Sequence, residues 1–169
     1  MVKNCIWTVI FSTIAALLQS VLLYRLAIYG AVPDISLGIL VFSAYVNGTM
    51  SGQLTGFFSG LFYDFLSISP MGLFTLVRTV IGALGGLLKG MFFLDKIVLP
   101  MLLCASATVI KALMLFGLHL LFTGTVPAYP SPLSTPVFWV ELLLNTITAP
   151  FLFGFLKLFK PLLMAGEKN

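Results

Sequence analysis

The stretch that decides the fold is residues 47–90, NGTMSGQLTGFFSGLFYDFLSISPMGLFTLVRTVIGALGGLLKG. Its first half contains a series with one member at every fourth position, formed by Gly48, Gly52, Gly56, Gly60 and Asp64. Its second half repeats this spacing with Arg78, Gly82, Gly86 and Gly90. Between the two series, residues 67–72 (SISPMG) have the composition of a turn. The stretch therefore predicts two helices that fold back on each other.

Folding this stretch as an antiparallel hairpin brings the two series into register. The predicted pairs are Gly60 with Gly82, Gly56 with Gly86, Gly52 with Gly90, and Asp64 with Arg78. Small residues four positions apart let helix backbones approach closely in a membrane, where packing rather than water exclusion holds helices together. Four residues turn a helix by about 400°, so each series winds around its axis and only about two or three pairs can touch at one crossing.

Composition is typical of an integral membrane protein. The chain has 169 residues, of which 60% are hydrophobic and 8% charged, whereas about a quarter of the residues in soluble proteins are charged. Its length fits one domain, residues 1–169. The formal net charge is +4, but the basic residues are scattered among apolar runs. They therefore indicate membrane topology rather than a nucleic-acid surface.

Six apolar segments predict an all-α bundle of six transmembrane helices. Their approximate bounds are 5–24, 33–46, 50–66, 72–90, 97–122 and 137–159. The first segment is interpreted as a retained span because it continues without a convincing cleavage site. The second is short, since its residues reach about 21 Å and the hydrocarbon core is roughly 30 Å thick. Segments two and three therefore either cross separately or form a re-entrant pair.

The lysines predict the orientation of the chain. With six crossings and a cytoplasmic N-terminus, one side carries Lys3, Lys89, Lys96, Lys157, Lys160 and Lys168. Among loop-like positions, Arg25 is then the one basic residue on the other side. Because cytoplasmic loops are enriched in Lys and Arg, both termini are expected in the cytoplasm.

Several charged residues are expected inside the membrane. Asp34, Asp64, Arg78 and Glu141 fall in its outer half under this topology. Burying an arginine in a membrane costs a few kcal/mol unless it is paired or reaches the surface. The nearest predicted partner of Arg78 is Asp64, and Glu141 is the second. The favoured interpretation is a structural ion pair that pins the hairpin, and the alternative is a binding or coupling site.

Lys111 lies near the midpoint of the fifth segment. Antiparallel pairing of segments five and six puts Asn145 and Thr148 near its level, with Glu141 further outward. The lysine reaches Glu141 only if its stem extends that way. A structural role is again favoured, although ionisable groups inside a membrane are candidates for function.

No catalytic or metal-binding pattern is present in the sequence. There is one histidine, no serine placed beside a base and no phosphate-binding loop. Cys5 and Cys104 both fall within apolar segments and match no metal or redox spacing, so they are expected to be buried and inert. We therefore expect no enzyme activity, no cofactor and no metal.

Two short stretches resemble the rod shape-determining protein MreD family of bacteria. They are residues 32–37, VPDISL, and residues 60–73, GLFYDFLSISPMGL. The family has a Pro-Asp-Leu-like opening and a glycine-rich helix that ends in Gly-x-x-x-Asp. A small polar turn with Pro-x-Gly and a further glycine-containing helix follow. Chain length, the six apolar segments and the short basic tail agree with the family, whereas Arg78 is not carried over from its pattern.

The resemblance implies a non-enzymatic scaffold of the cell-wall elongation complex in the bacterial cytoplasmic (inner) membrane. Members associate with MreC, and through it with MreB, with RodA and with a class B penicillin-binding protein. The fold of the family is also similar to the substrate-binding S components of energy-coupling-factor vitamin transporters, which implies an S-component-like bundle.

Two functions therefore compete. A scaffold would present a helix face or an outer groove to a partner's transmembrane helix, with Asp64 and Arg78 as polar anchors, and would need no small-molecule ligand. An S component would enclose a vitamin in an outer pocket lined by Asp34, Asp64, Glu141 and Tyr129, but the outer loops offer few hydrogen-bonding side chains for this. A generic permease is disfavoured because the two halves show no inverted repeat.

Overall fold

The computed structural model describes residues 2–21, 27, 30–67, 69–90, 97–122, 134–159 and 163, with the backbone alone at residues 2 and 3. The sequence predictions for Arg25, Lys96, Tyr129, Lys160 and Lys168 lie outside the described residues. The side chain of Lys3 lies outside them as well.

The described part of the chain is all helical and contains no sheet. Its helices are α1 (Val2–Val21), α2 (Ile35–Asn47), α3 (Thr49–Leu66), α4 (Leu73–Leu87), α5 (Val98–Leu121) and α6 (Pro136–Leu158). By length and composition, α1, α5 and α6 can each cross a membrane, while α2 and α4 are shorter apolar helices. The predicted all-α fold class is therefore confirmed. The fourth segment ends at Leu87, three residues before its predicted end.

The short helix α2 occupies the centre of the bundle. Nine of its thirteen residues are buried, and it packs against each of the other five helices. Gly48 alone separates it from α3, with φ +94° and its backbone N–H donating to the carbonyl of Ala44 at 2.8 Å. A positive φ of this size favours glycine because it has no Cβ. The chain can therefore leave α2 and enter α3 at one residue.

Helices α3 and α4 meet backbone to backbone along a glycine seam, formed by Gly52, Gly56, Gly60, Gly82 and Gly86. A methyl group added at Gly52 would overlap the carbonyl of Gly82, and one added at Gly82 would overlap the carbonyl of Gly52. A methyl group at Gly60 would lie 2.6 Å from the Cα of Thr75. The seam therefore has no room for side chains, as expected where small residues let membrane helices approach closely.

The predicted register of the hairpin is wrong by eight residues, or about two helical turns. Gly52 faces Gly82, and Gly56 faces the backbone of Arg78. The predicted packing role of Gly90 is also wrong, because this residue follows α4 with φ +75° and no atom lies within 4 Å of the position of an added Cβ. The cause is the turn, where Asp64 binds the first backbone N–H groups of α4. This brings Asp64 level with the start of α4 rather than with Arg78.

Candidate functional site

Charged side chains that are far apart in sequence meet in the interior of the bundle. This charged cluster consists of Asp34, Arg78, Lys111 and Glu141. Asp34 precedes the first residue of α2, and the other members lie on α4, α5 and α6. The cluster contains two acids and two bases, so it is electrically neutral as a set.

Asp34 is the centre of the charged cluster. Its Oδ1 lies 3.6 Å from Nη2 of Arg78, and its Oδ2 accepts a hydrogen bond from Nζ of Lys111 at 3.0 Å. The same carboxylate caps α2 by accepting from the backbone N–H of Leu37 at 3.0 Å. Its own N–H donates to Oδ1 of Asn145 on α6 at 2.6 Å. The positive end of α2 adds to the stabilisation of this buried acid.

Arg78 connects the cluster to three other helices. Its Nη1 donates to the hydroxyl of Ser36 on α2 at 2.7 Å and lies 3.5 Å from that of Ser12 on α1. Its guanidinium carbon lies 4.3 Å from the ring centroid of Tyr63 on α3, which is a cation–π contact. A planar guanidinium with several fixed donors suits such a junction better than an ammonium would. The side chain is thereby paired and buried.

The end of the cluster formed by Lys111 and Glu141 is more exposed than the end formed by Arg78 and Asp34. Lys111 donates to Glu141 as well as to Asp34, so its stem does extend toward Glu141. The side chains of Lys111 and Glu141 are 17% and 21% exposed, against 4% for Arg78 and 5% for Asp34. Asn145 supports this end by donating to the hydroxyl of Thr108 at 2.9 Å. The arrangement therefore joins α5 and α6 to the centre of the bundle.

Asp64 lies outside the cluster, and its predicted ion pair with Arg78 is wrong. It accepts hydrogen bonds from the backbone N–H groups of Gly72, Phe74 and Thr75 at 2.9 to 3.0 Å and from the hydroxyl of Thr75 at 2.6 Å. These donors satisfy the carboxylate, which is 2% exposed. The N-terminal end of α4 favours this negative charge. Arg78 pairs with Asp34 instead.

A row of hydroxyl and thiol groups that the sequence analysis missed joins α1 to α2 and α3. Its contacts are Cys5 with Ser51 at 3.2 Å, Thr8 with Ser43 at 3.0 Å and Ser12 with Ser36 at 2.8 Å. The signal was present, because residues 5, 8 and 12 follow the helical spacing of a single face. Cys5 and Cys104 are buried and free, as expected.

The cavity beside Asp34 is small. It is lined by Asp34, Thr108, Asn145 and Thr148, among others, and its volume is about 10 Å³. One water needs about 10–15 Å³, whereas pockets for small molecules hold about 300–1,000 Å³. The described residues also contain no group of three or more His, Cys, Asp or Glu that could hold a metal ion. The charged cluster is therefore suited to joining helices, and its cavity has no room for a vitamin.

Together, long apolar helices and charges that neutralise one another inside the bundle define a helical membrane protein. A family model described as rod shape-determining protein MreD matches residues 1–159, so the chain belongs to the MreD family. Comparisons with curated proteins and with solved structures gave no significant match. Family membership confirms the resemblance found in residues 32–37 and 60–73 and implies a role in determining rod shape.

The two stretches that carry the resemblance contribute one buried acid each to the architecture. Asp34, from the first stretch, holds the charged cluster together. Asp64, from the second, fixes the start of α4 against the end of α3. Both acids therefore act through contacts within the protein.

Proposed function

We propose that the protein is a non-enzymatic scaffold of the bacterial cell-wall elongation complex, which maintains rod shape through association with MreC. Its membership of the MreD family supports the role in cell shape. The observation that carries the scaffold role is the charged cluster, because its acids and bases are paired with one another inside the bundle. The cluster fixes the relative positions of the helices, and a scaffold needs such a fixed surface.

We further propose that all six helices cross the inner membrane and that both termini lie in the cytoplasm. The lysine bias supports this orientation, and Lys89 and Lys157 are exposed near the ends of α4 and α6. Helices α2 and α4 reach only about 20 and 23 Å at 1.5 Å per residue. Both are packed among longer helices, so their polar ends can be satisfied by protein rather than by lipid.

The proposed direct partner is MreC, and the indirect partners are MreB, RodA and a class B penicillin-binding protein. The family resemblance supports this set of proteins. A transmembrane helix of MreC would need an apolar surface, and α3 offers one with its exposed side chains Met50, Leu54, Phe57, Phe58, Phe62 and Phe65. Close packing, rather than free charges, would then hold the partner.

The alternative function is that of a vitamin-binding S component. It would need Asp34, Asp64 and Glu141 to face a common pocket. Asp34 and Asp64 are instead occupied by contacts within the protein, and the cavity beside Asp34 has a volume of about 10 Å³. These observations favour the scaffold.

The deciding experiment is affinity purification from detergent-solubilised membranes, with mass spectrometry of both the protein and the small-molecule fractions. We expect MreC to be recovered with the protein and no vitamin to be present in stoichiometric amount. Recovery of a vitamin in stoichiometric amount and without MreC would contradict the scaffold function and support that of an S component. Membranes that carry an unrelated tagged membrane protein serve as the control for carry-over.

A further inference from the structure

The contacts between helices divide the bundle into two units. Helices α1 to α4 are joined by extensive contacts and form the first unit, while α5 and α6 pack more closely on each other than on any other helix and form the second unit. Among the described residues, the units meet mainly through α2, which contacts both α5 and α6, and through α4, which contacts α5. The small cavity beside Asp34 lies on this boundary, because its lining comes from the start of α2 on one side and from α5 and α6 on the other.

Each unit contains an ion pair of its own. In the first unit, Arg78 of α4 lies 3.6 Å from the carboxylate of Asp34 and also donates to the hydroxyl of Ser36. In the second unit, Lys111 of α5 donates to Glu141 of α6. If the units move apart, each base therefore keeps an acid within its own unit. Separation then leaves no unpaired charge inside the membrane, which is the outcome that makes breaking a buried ion pair so costly.

The polar contacts that cross the boundary at Asp34 can be lost without stranding a charge. Lys111 is shared between the units, since its Nζ donates to Asp34 at 3.0 Å and to Glu141 as well. The backbone N–H of Asp34 donates across the boundary to Oδ1 of Asn145 at 2.6 Å. When both contacts break, every charge of the cluster still has one partner.

The opposite end of α2 is held by a different kind of contact. There, Nδ2 of Asn47 donates to the backbone carbonyl of Leu163, which follows α6, at 2.8 Å, and the side chain of Leu163 is 1% exposed. The ring of Phe159, directly after α6, lies 5.4 Å from the ring of Phe11 on α1, measured between centroids. These contacts attach the end of the second unit to the first, about 20 Å along α2 from the charged cluster.

We propose that the second unit pivots about the Asn47 end of α2, so that the units separate at the charged cluster and Lys111 moves away with Glu141. Between the two ends of α2, Phe42 packs on Phe153 of α6 with ring centroids 5.1 Å apart. Lipid chains are as apolar as these side chains, so a membrane opposes their separation less than water would. The structure described above is the closed state, and the open state has the two ion pairs apart. The α3 surface proposed for MreC belongs to the first unit and is the same in both states.

The two native cysteines provide the test. Cys104 of the second unit faces α2, since its Sγ lies 3.9 Å from the position of a Cβ added at Gly38. Cys5 lies within the first unit, where its Sγ is 3.2 Å from the hydroxyl of Ser51. Opening therefore exposes Cys104 and leaves Cys5 as it is. The full chain in lipid nanodiscs is treated with N-ethylmaleimide, and the labelling rate of each cysteine is followed by mass spectrometry of its peptide.

A neutral double variant is used to shift the equilibrium. Lys111→Gln with Glu141→Gln removes the shared base and one acid, so the first unit retains its own ion pair. Loss of the charge-assisted hydrogen bond across the boundary is expected to raise the open population, and with it the labelling rate of Cys104, about tenfold, while Cys5 keeps its wild-type rate. Lys89→Gln, at an exposed position after α4, is the control and should change neither rate. An unchanged rate at Cys104, or equal acceleration of both cysteines, would overturn the proposal.

If the double variant does not fold, distances measured with the charges intact decide instead. Both native cysteines are replaced by alanine, and spin labels are attached in pairs at exposed positions. Met71→Cys with Leu121→Cys reports the cluster end of the units, and Leu87→Cys with Leu158→Cys reports the opposite end. We expect two distances for the first pair and one for the second. A single distance for the first pair, or two distances for both pairs, would contradict a pivot at the Asn47 end of α2.

Discussion

The glycine seam and the charged cluster hold neighbouring helices together by opposite means. At the seam, α3 and α4 touch through their backbones, and no side chain fits between them. At the cluster, long basic side chains from α4 and α5 reach a carboxylate at the start of α2, and one of them also pairs with a carboxylate of α6. The seam depends on the lack of side-chain atoms at its glycines, whereas the cluster depends on opposite charges that neutralise one another. The two regions should therefore respond differently to substitution.

The largest effect is expected from adding one methyl group to the seam. Gly82→Ala places a Cβ against the carbonyl of Gly52, which is backbone and cannot move aside as a side chain would. We expect a loss of about 3 kcal/mol of unfolding free energy, measured by thermal unfolding in detergent. The matched control is Gly154→Ala on α6, where no atom lies within 4 Å of the added methyl. Equal stability of the two variants would show that the seam is not close packed.

The next effect is the removal of the central acid of the cluster. Asp34→Asn leaves Arg78 and Lys111 with one carboxylate between them. Because Glu141 still pairs with Lys111, we expect a loss of about 2–3 kcal/mol of unfolding free energy, less than the cost of leaving both bases unpaired. Asp34→Asn with Arg78→Gln restores neutrality, because Lys111 keeps Glu141. In a double-mutant cycle, the double variant should therefore lose less unfolding free energy than the two single variants together, by at least about 1 kcal/mol.

The cycle distinguishes a cluster held by charge from one held by shape. Strictly additive losses would mean that Arg78 contributes through its packing on Tyr63 rather than through its charge. Lys89→Gln, at an exposed position after α4, is the control and should change stability by less than about 0.5 kcal/mol.

Substitution of Asp64 should have a smaller effect on stability, and it tests the turn that joins the two helices of the seam. Asp64→Ala removes the acceptor of the hydrogen bonds that start α4, and we expect a loss of about 2 kcal/mol. The protein should still insert into the membrane, but less MreC should be recovered with it, because the end of the hairpin loosens. Recovery of MreC at the wild-type level would contradict a role for Asp64 in association. Ser69→Ala, in the same turn, is the control.

The smallest effect is expected in the hydroxyl row along α1. Thr8→Val keeps the shape of the side chain but removes its hydrogen bond to Ser43, and such bonds in membranes are worth about 0.6 kcal/mol. Thr13→Val is the matched control, since among the described residues its hydroxyl bonds only to the carbonyl of Val9 in its own helix. If Thr8→Val lowers the unfolding free energy no more than Thr13→Val does, then the packing of α1 depends on shape alone. Unfolding in detergent measures both.

The sequence predicted the helices well because their signals are local. Apolar segments and the every-fourth glycines indicated a helical hairpin, and the helices begin or end near the predicted residues. The register escaped prediction because it depends on one side chain, Asp64, which binds backbone groups across the turn. Periodicity alone allows several offsets of four residues, and only the turn chooses among them.

The charged cluster was predicted in its membership but only in part in its pairing, because the contact of Lys111 with Glu141 was foreseen and the pairs of Asp34 were not. Asp34, Arg78, Lys111 and Glu141 were recognised as buried charges, but Asp34 was not connected with either base. The reason is that α2 lies in the centre of the bundle, which places its first turn next to α4, α5 and α6 at once. No local pattern in the sequence encodes that position.

The separation of α2 from α3 by the single residue Gly48 has a consequence for biosynthesis. A helix of 13 residues is too short to cross a bilayer by itself, so under the proposed topology α2 and α3 enter together as one unit. The ribosome completes Asp34 before Arg78 and Lys111. Among the described residues, this acid therefore gains its first cationic neighbour only when α4 arrives and its second only when α5 follows.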